Sequence, residues 1–139
     1  MDRDFVLHPQ LLADTAMVCN LRLSRVLLMD DANWPWLILV PIRQALRELI
    51  DLDREERIVL GDEIDLASRI LRARFNPDKL NVAALGNQVE QLHVHVIARH
   101  RSDPAWPAPV WGRLPRRHYE PAARQGLLDA LAVAFATAV

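Results

Sequence analysis

The sequence predicts an α+β fold on a mostly antiparallel five-stranded sheet, with one long helix between strands and a second helix at the C-terminus. Three observations lead there. A capped, regularly striped helix fills residues 53–74, short apolar or alternating runs lie on both sides of it, and helical spacing returns only near the two ends. The chain has 139 residues, 51% of them hydrophobic and 25% charged, as expected for one domain over 1–139. A chain of this size buries about two-thirds of its unfolded surface and needs no disulfide or structural metal for its core.

Each element follows from its local pattern. Residues 8–17, opening His8-Pro9, read as a short helix because Leu11, Leu12, Thr15 and Ala16 recur at helical spacing. Residues 20–23 alternate polar and apolar side chains and read as a strand. Residues 26–29 form a second, apolar strand that stops at the turn Asp30-Asp31-Ala32-Asn33. Residues 34–40 are a third, closed by Pro41. Asp53 and Glu56 make a capping box, and Leu60, Ile64, Ala67 and Leu71 form one stripe of the helix that runs to about Arg74. Asn76-Pro77-Asp78 ends it. Residues 79–85 and 91–98 then read as two strands of an antiparallel hairpin whose turn holds Gly86-Asn87. Residues 99–120 are a Pro- and Trp-rich extended arm, since Pro104, Pro107 and Pro109 exclude helix and central strand alike. The last helix covers 121–136 of the closing stretch 121–139.

Charge and composition narrow the function. The formal net charge of −1 gives no general field for a nucleic-acid backbone or an anionic membrane. Neither partner is expected. Of 17 basic residues 16 are Arg and only Lys79 is Lys, which supplies planar forks for phosphate or carboxylate or reflects codon usage. The lone Cys19 cannot form an internal bridge, and the opening Met1-Asp2-Arg3-Asp4-Phe5 lacks the basic start of a signal peptide. Both point to the cytoplasm. The apolar segment 127–139 contains Asp129 and is too short to span a bilayer. Glu55, Glu56, Asp62 and Glu63 read as a solvated helix face.

The chemistry concentrates in Gln91-Leu92-His93-Val94-His95-Val96-Ile97-Ala98-Arg99. Strand alternation sets Gln91, His93, His95, Ile97 and Arg99 on one face and Leu92, Val94, Val96 and Ala98 on the core face. Imidazoles two apart on a strand suit three roles: zinc ligation, which lacks a recognisable third ligand among His8, His100 and His118; a nucleophile with a helper at a phosphorus centre; or non-covalent anion binding.

This segment resembles the histidine triad (HIT) superfamily, whose motif is three histidines at alternate positions separated by apolar residues. The preceding Asn81-Val82-Ala83-Ala84-Leu85-Gly86-Asn87-Gln88-Val89 is similar to the family's Asn strand and Gly-containing approach, and residues 27–41 to its nucleotide-side hairpin. The likeness spans about residues 5–100, and the later arm and helix look like the extension of a bacterial branch. It implies a HIT-like fold, a homodimer and metal-free, cofactor-free cleavage at the α-phosphate of a purine nucleotide. Plausible substrates are dinucleoside polyphosphates or nucleoside phosphoramidates. His93 would be the nucleophile, His95 would bond the phosphate and leaving-group oxygens, and Gln88 and Asn81 would touch the phosphate side. Leu28 and Asp30 would meet the nucleoside, with Asp30 accepting from a ribose hydroxyl. Arg99 and His100 would reach a polyphosphate tail.

Two departures stand out. Gln91 replaces the first histidine, which in the family orients the second, so the activity is expected to be attenuated or altered. Trp34-Pro35-Trp36 stands where the family usually carries Pro-Gly-His. Trp106 and Trp111 stack on a base, pack across a dimer or anchor the arm, anchoring being the simplest. The alternatives to a hydrolase are a nucleotide-binding protein with little turnover and a metal-dependent hydrolase.

Overall fold

In the computed structural model, which describes residues 2–138, a five-stranded sheet has the order β1-β2-β3-β5-β4 with every neighbouring pair antiparallel. Met1 and Val139, the two ends of the expected domain, lie outside the described residues. The elements are α1 (Pro9–Asp14), β1 (Thr15–Asn20), β2 (Ser24–Met29), β3 (Trp36–Pro41), a 3₁₀ turn at Leu49–Asp51, α2 (Arg54–Phe75), β4 (Lys79–Ala83), β5 (Val94–Arg99) and α3 (Pro121–Thr137). Because α2 crosses over before β4, the following strand β5 inserts beside β3 in the sheet interior. That order places the histidine strand between two neighbours.

The long helix forms as its sequence dictates. Asp53 Oδ1 accepts from the Glu56 amide at 2.8 Å, Glu56 Oε1 accepts from the Asp53 amide at 3.2 Å, and Asn76 ends the helix in the left-handed conformation at φ 46°. Leu60, Ala67 and Leu71 of the expected stripe are buried against the sheet. Glu63 is a correction. It is buried, not solvated, and its Oε2 accepts from the Leu23 amide at 2.9 Å.

Two further expectations change near the N-terminus. The first helix ends at Asp14 instead of Met17, because residues 15–20 pair with β2 from Thr15↔Met29 to Asn20↔Arg25. The strand expected at 20–23 is the turn of that hairpin, with the Leu21 amide donating to the Ser24 carbonyl at 2.8 Å. Helical spacing over two turns is a weak preference, and ladder pairing overrides it.

Alternation divides the core into two layers. Leu28, Leu37, Leu39, Leu92, Val94, Val96 and Ala98 face α2 and α3, whereas Leu27, Trp36, Ile38 and Ile97 face α1 and the 99–120 arm. The arm closes over that second face through Ala105 and Val110, and Trp106 lies over the Arg99 guanidinium at 5.7 Å. Among the described residues no helix is long and apolar enough to cross a membrane.

Candidate active site

His93 immediately precedes β5 and His95 is its second residue, and both are buried on the arm side of the sheet. They line a cavity of about 620 Å³ whose other walls come from α1 (Leu11), β2 (Met29), β3 (Trp36, Ile38), the 84–93 loop (Gly86, Gln88) and the arm (Trp111). A second, more polar recess of about 250 Å³ adjoins His93 and includes Arg47, Glu48 and Glu90. His93 is therefore shared by a chamber of mixed polarity and a more polar one.

The two rings, 4.8 Å apart between centroids, are held differently. His93 Nδ1 lies 2.6 Å from the Gln91 carbonyl, an acceptor, so Nδ1 carries the proton and Nε2 keeps its lone pair. His95 has its Nδ1 3.0 Å from the Trp36 indole Nε1 and its Nε2 3.2 Å from the Leu85 carbonyl. Burial lowers the pKa of His93, and the neighbouring His8 adds to that, against the Gln91 hydrogen bond. Burial and then the charge of His93 bring His95 down to about 4. Both imidazoles are neutral at pH 7.

Gln88 lines the cavity. Gln91 occupies the entry to β5, but its side chain does not support His93: Oε1 accepts from the His8 amide and Nε2 donates to the Val6 carbonyl, both at 2.9 Å. The orienting group is its main-chain carbonyl, which any residue supplies. Gln91→Ala is accordingly expected to cost about 1–2 kcal/mol and to speed hydrogen exchange at the His8 amide, with the His93 anchor intact. Exchange mass spectrometry across residues 2–14 checks it.

Five other expectations are corrected. Leu28 points into the helix-side core, one residue out of phase with Met29, which does line the cavity. The Asp30 carboxylate is occupied by His118 Nδ1 at 2.7 Å and the Tyr119 amide at 3.0 Å, with Arg124 at 3.6 Å, and is absent from the cavity wall. Arg99 is 1% exposed, paired through Nε and Nη2 with Asp103 at 2.8 and 3.1 Å. Its Nη1 donates to Asn81 Oδ1 at 2.9 Å, so Asn81 also serves this buried network and not the cavity. His100 turns away, with Nε2 2.8 Å from the Phe75 carbonyl.

Sequence reasoning missed His8, Met29 and Trp36 as wall residues. His8 carried no spacing signal, whereas Trp36 was visible in Trp34-Pro35-Trp36 but had no assigned contact. Trp111 anchors the arm and also meets His95 edge-on, with centroids 5.1 Å apart. The loop above His93 depends on Gly86. A Cβ there would stand 2.7 Å from the Val89 carbonyl oxygen and 3.5 Å from His93 Cε1. Gly86→Ala is expected to reduce turnover about 10²-fold by displacing the loop, at a stability cost of only about 1–3 kcal/mol. Initial rates and calorimetry on the same variant separate the two effects.

Neutral histidines at alternate positions, His93 just before the interior antiparallel strand β5 and His95 within it, under a glycine-containing loop, match the histidine-triad type of domain. The comparisons agree. Residues 11–102 match the HIT domain family. The chain is 47% identical to a histidine triad protein of Bradyrhizobium japonicum, over 91% of this chain and 95% of that one, with a TM-score of 0.89. It is 44% identical to one from Marinobacter aquaeolei, covering 94% and 95%, with a TM-score of 0.91. It is 38% identical to one from Sinorhizobium meliloti, covering 91% and 93%, at 0.89. A comparison with the curated proteins returns no match. The chain belongs to the HIT domain family, whose members generally act on nucleotides.

Proposed function

We propose that the protein is a nucleotide hydrolase that cleaves at the α-phosphate of a purine nucleotide conjugate, a nucleoside phosphoramidate or a dinucleoside polyphosphate, through a histidine–nucleotide intermediate. The observation that carries this is the 2.6 Å contact of His93 Nδ1 with the Gln91 carbonyl, which leaves Nε2 as a lone pair at the cavity wall. Nε2 attacks the α-phosphorus, an N–P bond forms, and the bond to the leaving group breaks as that group takes up a proton from solvent water. The Gln91 carbonyl stabilises the positive charge left on the phosphorylated imidazole. Water then attacks the same phosphorus and loses a proton to solvent, the N–P bond breaks, and the nucleoside monophosphate leaves with His93 restored in its neutral Nδ1–H form.

The His95 Nε2–H, which donates to the Leu85 carbonyl at 3.2 Å, exchanges that bond for phosphate or leaving-group oxygens when substrate enters, and Gln88 offers a polar contact from the cavity wall. Leu11, Met29, Ile38 and two tryptophan rings form a wall suited to an aromatic base. The homodimeric and cytoplasmic readings rest on the family likeness and on the lone Cys19. Among the described residues no three His, Cys, Asp or Glu side chains gather to hold a metal ion.

The test is AMP release from an adenosine phosphoramidate and from diadenosine tetraphosphate, with and without EDTA, followed by mass spectrometry of the quenched protein. Release that survives EDTA, with adenylyl mapped to His93, is expected. Loss of release on chelation would favour a metal-dependent hydrolase, and AMP binding with no release a nucleotide-binding protein.

A further inference from the structure

We propose that Trp36 is a positioning residue for His95, its indole N–H fixing that imidazole as the Nε2–H tautomer so that a proton donor, not a second lone pair, stands beside the nucleophile. The two ends of the ring agree. An indole nitrogen only donates, so His95 Nδ1 at 3.0 Å must accept, and the Leu85 carbonyl only accepts, so Nε2 at 3.2 Å must carry the proton. Turning the ring over would set carbons against both partners and lose both bonds. His93 has the opposite form, with the proton on Nδ1 and the lone pair on Nε2. Adjacent imidazoles of one residue type are thereby made chemically unlike.

Trp36 can hold this geometry because it is itself fixed. It is 5% exposed, its backbone pairs with Ile97 in the sheet, and its ring meets Trp34 and Trp111 edge-on at 6.4 and 5.9 Å between centroids. Trp111 belongs to the 99–120 arm, so the arm braces the donor as well as walling the cavity. The indole also disfavours the imidazolium, whose Nδ1–H would face the indole N–H. Around His95, β3 presents Trp36 and Ile38, β4 pairs Ala83, the loop offers the Leu85 carbonyl and the arm Trp111. Its ionisable neighbour is His93, with His8 beyond.

The catalytic consequence rests on the hydrolase reading, whereas the tautomer itself does not, and the experiment keeps them apart. Nitrogen NMR of the ¹⁵N-histidine-labelled full chain, without substrate, reads the protonation of each His95 nitrogen. Wild type is expected to show a bare Nδ1 and a protonated Nε2 from pH 5 to pH 8. Trp36→Phe keeps a ring and removes the donor, and should give mixed tautomers and a higher protonation midpoint. With adenosine phosphoramidate the same change should lower kcat at least about tenfold with KM within about threefold, and raise the acid limb of the rate profile. Site-specific benzothienylalanine at position 36, which keeps the indole shape without N–H, serves if the Phe variant does not fold. A wild-type His95 protonated on Nδ1, or no tautomer change in either variant, overturns the proposal. The expected tautomers with no turnover of any nucleotide would instead overturn the hydrolase reading alone.

Discussion

His93→Ala is expected to lower AMP release at least about 10³-fold, because no other group takes over the N–P bond. His95 is the nearest candidate, but Trp36 and Leu85 occupy both its ring nitrogens. AMP binding should persist within a few-fold, since the apolar walls formed by Leu11, Met29, Trp36 and Trp111 are untouched. Single-turnover kinetics and calorimetric titration measure the two separately. Retained turnover in the variant would remove His93 from the chemistry. The sign of the pH dependence follows from burial: the active form is neutral, burial lowers the pKa, and so the rate should fall only below the ordinary histidine value of 6.5.

The largest effect on stability is expected at Asp103, outside the cavity. Its carboxylate receives Arg99 through two nitrogens and also the amides of His100 at 3.2 Å, Ala105 at 3.0 Å and Trp106 at 2.8 Å. Burial alone would raise the Asp103 pKa, but the guanidinium and the amides hold it well below the usual carboxylate range. Its contribution is therefore present above pH 3.8 and is lost only as pH falls through that depressed value. Asp103→Ala leaves the Arg99 charge buried and unpaired, which costs about 3–5 kcal/mol and about 10–20 °C in melting temperature. The double variant Arg99→Met, Asp103→Leu should recover a large part of that loss, because the uncompensated charge goes with its partner. Scanning calorimetry of the two variants decides it. A single variant within 1 °C of wild type would show that the network carries no weight.

Much of this was legible in the sequence, for reasons that differ by element. The capping box and stripe of α2 are local, so Asp53, Glu56 and Leu60 announced the helix without help from the rest of the chain. The alternation around His93 and His95 likewise sorted Leu92, Val94, Val96 and Ala98 onto the core face. What failed was whatever depended on a distant partner. Arg99 reads as a strand-end charge until Asp103, Asn81 and Trp106 close around it. Asp30 reads as a turn residue until His118 and Tyr119 return beside it. Gln91 reads as a substitute imidazole, because alternation says which way a strand residue points but not that β5 begins only at Val94. Freed from the ladder, its side chain reaches the N-terminal segment instead. Trp36 stood in plain view, yet an indole is as much a core filler as a donor until its nitrogen has a partner.

The Gln91 clamp also sets an order of events for a newly made chain. It joins His8 and Val6 to a residue 83 and 85 positions later, and the Asp30 bonds to His118 and Tyr119 span 88 and 89. Helix α2 and the β2–β3 hairpin need only their own neighbourhood, whereas these closures wait on loops of most of the chain's length. A chain of which 80 residues have emerged can already pack α1 on β2 and β3 but still lacks the Gln91 bonds that tie down the segment leading into it. Recovery of the proposed hydrolase activity should therefore trail recovery of helical signal on refolding, since the chamber around His93 depends on bonds between residues more than 80 positions apart.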